Sequence, residues 1–132
     1  LTISSSALPY NAQSRKYTPV RGPPMPHALA PRGRRLMLER VGAFPSQQST
    51  AQLLNMTPRT LLRRLADDGT SYREILENVR HALAVESVKS GKLSLQEIAF
   101  LLGYDSLGNF RRAFIRWEGM SPSEFRRAET RS

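Results

Sequence analysis

Arg59 and Arg63 stand four residues apart, and Arg111 and Arg112 sit beside Phe110 and Phe114 in a second segment of similar make-up. A spacing of four puts two side chains on one side of a helix, so Arg59 and Arg63 project together, opposite Leu61 and Leu65. Arg111 and Arg112 stand in the same relation to Phe110 and Phe114. The chemistry open to such a face is recognition. A guanidinium is a permanent cation with a planar fork of donors, and it pairs bidentately with guanine or with phosphate. The apolar residues behind it keep the helix rigid as the fork docks. Catalysis has no comparable grouping. His27 and His81 lie far apart, Asp67-Asp68 is unlike a metal site, and the sequence has neither cysteine nor a glycine-rich phosphate loop. The chain reads as a non-enzyme without a cofactor.

Such faces need helices, and the punctuation of the sequence supplies them. Thr57-Pro58 sets a capping hydroxyl before a proline at the first helical position. SYRE (Ser71 to Glu74), SLQE (Ser94 to Glu97) and SPSE (Ser121 to Glu124) each place glutamate three residues after serine, the capping-box spacing. Gly69, Gly91, Gly103 and Gly119 fall where helices should stop. Leu107, Phe110, Ala113, Phe114 and Trp117 recur at helical period, and Tyr104, Trp117 and Phe125 are assigned to the core. No stretch alternates as a strand does. The expectation is an all-α chain of about seven short helices, near 46–54, 58–67, 72–90, 95–102, 107–117 and 122–129, with a weaker one near 34–42.

The formal charge of +9 invites a polyanionic partner, but its distribution is uneven. Residues 1–45 carry seven basic groups and one acid, so most of the excess belongs to them. Seven of the nine prolines also lie there, and proline removes backbone donors and disfavours helix before it. Residues 1–45 are therefore expected to be a largely disordered basic segment, and residues 46–132 a folded domain. No apolar run approaches the roughly 20 residues of a membrane span. LTISSSALPYNAQ lacks the charged start and apolar block of a signal peptide, so a cytoplasmic protein is expected. The first residue is leucine, and a piece of a longer protein is expected.

Within residues 46–132 the sequence repeats itself. Ala51, Leu53 and Leu54 match Ala99, Leu101 and Leu102; Leu61, Arg63 and Leu65 match Phe110, Arg112 and Phe114 after one extra residue. Gly69, Ser71, Glu74 and Ile75 match Gly119, Ser121, Glu124 and Phe125 after a second. Two copies of one supersecondary unit follow. Each has a short helix, a tight turn (NMT, Asn55 to Thr57; GYDS, Gly103 to Ser106) and a second helix with a basic surface, which is the helix-turn-helix plan. The units span 46–68 and 94–129, with a linker helix at 71–91. A helix over 72–90 would be about 28 Å long at 1.5 Å per residue, against roughly 34 Å between successive major-groove faces of B-DNA. The rival expectation is a helical module with solvated arginines and a protein partner.

LSLQEIAFLLGYDSLGNFRRAFIRWEGMSPSEFR, with Gly103-Tyr104, Asn109-Phe110 and GMSPSEFR, resembles the C-terminal signature of the AraC family of bacterial transcription regulators. GAFPS and NMTPRTLLRRLADDGTSYREIL resemble the branch with an arabinose-binding-type N-terminal domain, to which residues 1–45 show no match. The resemblance implies seven helices in two homeodomain-like helix-turn-helix units. It also implies sequence-specific binding of double-stranded DNA and control of RNA polymerase, usually activation, in the cytoplasm and at the nucleoid. Effector binding and dimerisation would belong to the N-terminal domain. Carried over by position, the first recognition helix would offer Arg59, Thr60, Leu62 and Arg63. The second would offer Leu107, Gly108, Arg111 and Arg112, with Thr57 and Ser106 as phosphate contacts. Gly108 and Leu107 depart from a polar reading surface.

Overall fold

The computed structural model describes residues 29–131. They form seven α-helices and no strand: α1 Leu29–Leu38, α2 Gln47–Leu53, α3 Pro58–Asp67, α4 Tyr72–Ser90, α5 Leu95–Leu101, α6 Leu107–Glu118 and α7 Pro122–Arg131. Residues 1–28 lie outside this range, and with them most of the expected disordered segment and His27.

Helix α1 departs from expectation. It begins five residues before Arg34 and ends at Leu38, with residues 39–42 in turns. Pro31 is tolerated because it lies in the first turn, where backbone N–H groups have no intrahelical acceptor. One of those donors, the Ala30 amide, reaches the Asp68 carboxylate at 3.3 Å, and that anion also faces the positive end of the helix. Leu29, Ala30 and Met37 are buried. Residues 29–38 are thus part of a folded core.

The described residues divide into two compact units, one up to Val79 and one from Arg80 onward. In the first, α1 and α2 each pack on α3. The core there includes Met37, Ala51, Leu61, Leu65 and Ile75. The Tyr72 hydroxyl donates to the Pro45 carbonyl and accepts from Thr50 Oγ1 at 3.0 Å, which ties the start of α4 to α2 and the loop before it. Burial pushes this phenol above its ordinary pKa, outweighing the Thr50 hydrogen bond.

In the second unit α6 packs on α5 and α7. Phe110, Phe114 and Phe125 form an edge-to-face series with centroids 5.9 and 5.4 Å apart, near the spacing aromatic quadrupoles favour. His81, by sequence an exposed or edge residue of the long helix, is instead 2% exposed. Its ring stacks on Trp117 at 4.8 Å, and Nε2 lies 2.5 Å from the Glu118 carboxylate. Ser94 and Ser121 close full capping boxes with Glu97 and Glu124. The serine amides hold both carboxyls below the usual carboxylate range.

The single helix α4 runs through the division at Val79. Tyr72, Ile75 and Val79 are buried before that division, and Leu83, Val85 and Val88 after it.

Candidate nucleic-acid interface

Each unit holds its second helix by the same local device. After α2, Asn55 adopts a left-handed conformation (φ 59°), and the Met56 amide returns to the Ala51 carbonyl at 3.0 Å. After α5, Gly103 does the same (φ 85°), and the Tyr104 amide returns to Ala99 at 3.0 Å. Asparagine and glycine are the residues that take this conformation at least cost, so two different residues make one turn. The second turn then uses one residue more before its cap, the insertion visible in the sequence repeat.

From the caps onward the two helices correspond without a gap. Thr57 Oγ1 accepts from the Thr60 amide at 3.1 Å, and Ser106 Oγ accepts from Asn109 at 3.1 Å. The fourth and eighth helical residues, Leu61 and Leu65 in α3 and Phe110 and Phe114 in α6, are buried. At about 100° per residue the second and sixth positions point away from that pair, and the fifth lies to one side of it. In α3 these are Arg59, Leu62 and Arg63, all exposed; in α6 they are Gly108, Arg111 and Arg112, with both arginines exposed. Thr60 and Leu107 are half-buried. Arg112 folds back on its own helix, with Nη2 donating to Asn109 Oδ1. A Cβ on Gly108 would lie 3.7 Å from Arg112 Nη1 and from Ser106 Oγ, ordinary contact. The Thr57 hydroxyl donates to Thr60 Oγ1 at 3.0 Å. Its proton is thus committed, and the Thr60 hydroxyl carries the donor left in that first turn.

Two further arginines hold the scaffold, a role the sequence does not single out. Arg80 donates through Nε to the Leu102 carbonyl at 2.8 Å and through Nη2 to Gly103 at 3.5 Å; its guanidinium lies 4.7 Å from the Tyr104 ring centroid. It therefore grips the turn that leads into α6. Arg126 donates through Nε to Val88 at 2.9 Å and through Nη2 to Leu93 at 2.8 Å, with Ser87 at 3.5 Å. It closes the C-terminal end of α4, where carbonyls lack intrahelical donors.

Among the described residues no group of three or more His, Cys, Asp and Glu is placed to hold a metal, and no helix is long and apolar enough to cross a membrane. The geometry on offer is two basic helix faces on rigid apolar backs.

Comparison with known proteins agrees with that geometry. A family described as a helix-turn-helix domain matches residues 50–128. The ornithine utilization regulator of Pseudomonas aeruginosa is 44% identical over 100 residues, which cover 76% of this chain and 30% of that protein. The HTH-type transcriptional regulator VqsM of the same organism is 41% identical over 83 residues, 63% of this chain and 26% of the relative. The chain thus spans under a third of the length of these curated relatives. Among solved structures, the transcriptional regulator CdpR of Pseudomonas aeruginosa superposes with a TM-score of 0.70 at 39% identity, over 75% of this chain and 31% of that one. A DNA-binding transcriptional dual regulator from Escherichia coli K-12 superposes at 0.77 over 84% of this chain and all of its own, and its 22% identity makes this a likeness of fold. The chain belongs to the helix-turn-helix domain family of AraC-type regulators.

Proposed function

We propose that residues 46–132 bind a promoter sequence-specifically, α3 entering one major-groove segment and α6 the next. The observation that carries this is the shared sixth helical position. Arg63 and Arg112 are exposed on helices with equivalent hydroxyl caps and with buried residues at the same two positions behind them. Arg59 and Arg111 add a second cation to each face, Leu62 adds apolar surface, and Leu107 and Gly108 border the second. Thr60 and Ser106 supply hydroxyl donors to phosphate, with Thr57 acting through Thr60. At 19 residues, α4 has a length near one turn of the duplex, which suits two sites on successive segments.

Activation of RNA polymerase, with the polymerase as a partner, rests on the resemblance to the family. So does a place in the cytoplasm and on the nucleoid. The relatives extend well beyond the matched region, and effector sensing and dimerisation are assigned to protein outside residues 29–131. The test is selection from a random-sequence duplex pool, followed by a salt titration on the enriched duplex. The expected result is one motif of two parts about one turn apart. Its affinity should fall linearly in log–log form with salt, as released counterions require. A pool with no enriched sequence would overturn the proposal.

A further inference from the structure

The caps fix a position-by-position equivalence between α3 and α6, and the two helices differ at two positions off the buried pair. At the second helical position α3 has Arg59 and α6 has Gly108; at the fifth, α3 has Leu62 and α6 has Arg111. Leu62 is 41% exposed. The second unit shows that this plan does not need an apolar residue there, since α6 keeps an equivalent cap, Ser106, and buried residues at the fourth and eighth positions, Phe110 and Phe114, with arginine in that place. Leu62 also has exposed arginines three residues before it and one after it. Cations so close to an apolar side chain favour a polyanion over an apolar protein groove as the surface that covers it. In the major groove of a duplex the apolar feature is the thymine 5-methyl group, and guanine offers the acceptor pair that a guanidinium fork matches.

We infer that the fifth helical position sets opposite base preferences in the two units: Leu62 packs on a thymine methyl in the first half-site, and Arg111 pairs with guanine in the second. The inference rests on the proposed DNA binding and goes further by assigning the base at one position of each half-site. It requires no new fold and no ligand besides the duplex.

The probe is the duplex enriched from a random pool by the unaltered chain, resynthesised with deoxyuridine replacing thymine at one position at a time. Removing the methyl that Leu62 covers should weaken binding about fourfold, the worth of one buried methyl-sized group. Leu62→Ala should abolish sensitivity to that deoxyuridine while the remaining positions behave as before. Leu62→Arg, selected anew, should turn that base pair from A·T to G·C, and Arg111→Leu should do the reverse in the other half-site. Leu62 is outside the core, so these variants should fold, and circular dichroism checks it. An enriched duplex insensitive to every deoxyuridine would overturn this inference alone. So would a loss that persists in Leu62→Ala, or a Leu62→Ala chain with unchanged affinity, the outcome expected if Leu62 docks a protein. A pool that yields no enriched sequence would overturn the proposed function, and this inference with it.

Discussion

Arg126→Ala should cost stability and leave base recognition largely alone, the opposite of what an exposed arginine on α3 should do. Arg126 makes two short charge-assisted bonds, 2.9 Å to Val88 and 2.8 Å to Leu93, and a longer one of 3.5 Å to Ser87. A hydrogen bond to a charged group contributes about 1.5–3 kcal/mol. The two short bonds share one side chain, so their losses overlap, and part is recovered as water reaches the freed carbonyls. A net loss of about 2–4 kcal/mol follows. For a domain of this size that corresponds to roughly 10 °C or more in Tm. Arg126→Lys should restore less than half, because an ammonium has no fork to span two carbonyls. Thermal and urea unfolding followed at 222 nm measures the loss, and binding to the enriched duplex at a temperature where the variant is folded measures the rest. A variant with unchanged Tm and a drop in affinity like that of Arg63→Ala would refute the reasoning and place Arg126 on the DNA face.

Other consequences follow from the first unit. A chain beginning at Leu29 should keep the melting temperature of residues 1–132, whereas one beginning at Arg34 loses buried Leu29 and Ala30 and the Asp68 contact. It should melt well below the longer chain, and equal melting curves would show that α1 does not stabilise the unit. Met37→Ala should cost about 2–5 kcal/mol, as buried large-to-small changes do, read from the urea midpoint. Tyr72→Phe removes the donor to Pro45 and should cost about 1–2 kcal/mol near neutral pH. Because the folded pKa of Tyr72 is raised, its contribution is present below pH about 10 and is lost as pH rises through the folded value. The gap between Tyr72→Phe and the unaltered chain should therefore close in alkali, and a constant gap would contradict that linkage.

Local chemistry made most of the helices legible. Thr57-Pro58 and Gly69 bracket α3, and SYRE and Gly91 bracket α4, so both have the bounds read from the sequence. Helix α1 is less visible because its N-terminal partner, Asp68, is 38 residues away. The proline density before it also argues against helix, although Pro31 falls in the one turn that accepts it. His81 has the same history: its burial depends on Trp117 and Glu118, which only the folded chain brings to it. The arginines show the limit most clearly. Arg80 and Arg126 have no local mark that separates them from Arg63 or Arg112, and their roles depend on carbonyls 22 to 39 residues away. In the candidate site, the caps and the buried pairs identified the outward positions, while the committed proton of Thr57 became visible only in the hydrogen bonds.

The most direct test of two separate reading helices is a pair of hydroxyl-radical footprints on one enriched duplex, taken with Arg63→Ala and with Arg112→Ala. Each substitution should weaken binding by about 1–3 kcal/mol and relax preference at a few base pairs. The two affected sets should lie about one helical turn, roughly 34 Å, apart. Changes at the same base pairs in both variants would contradict the account, as would equal losses on enriched and random duplexes.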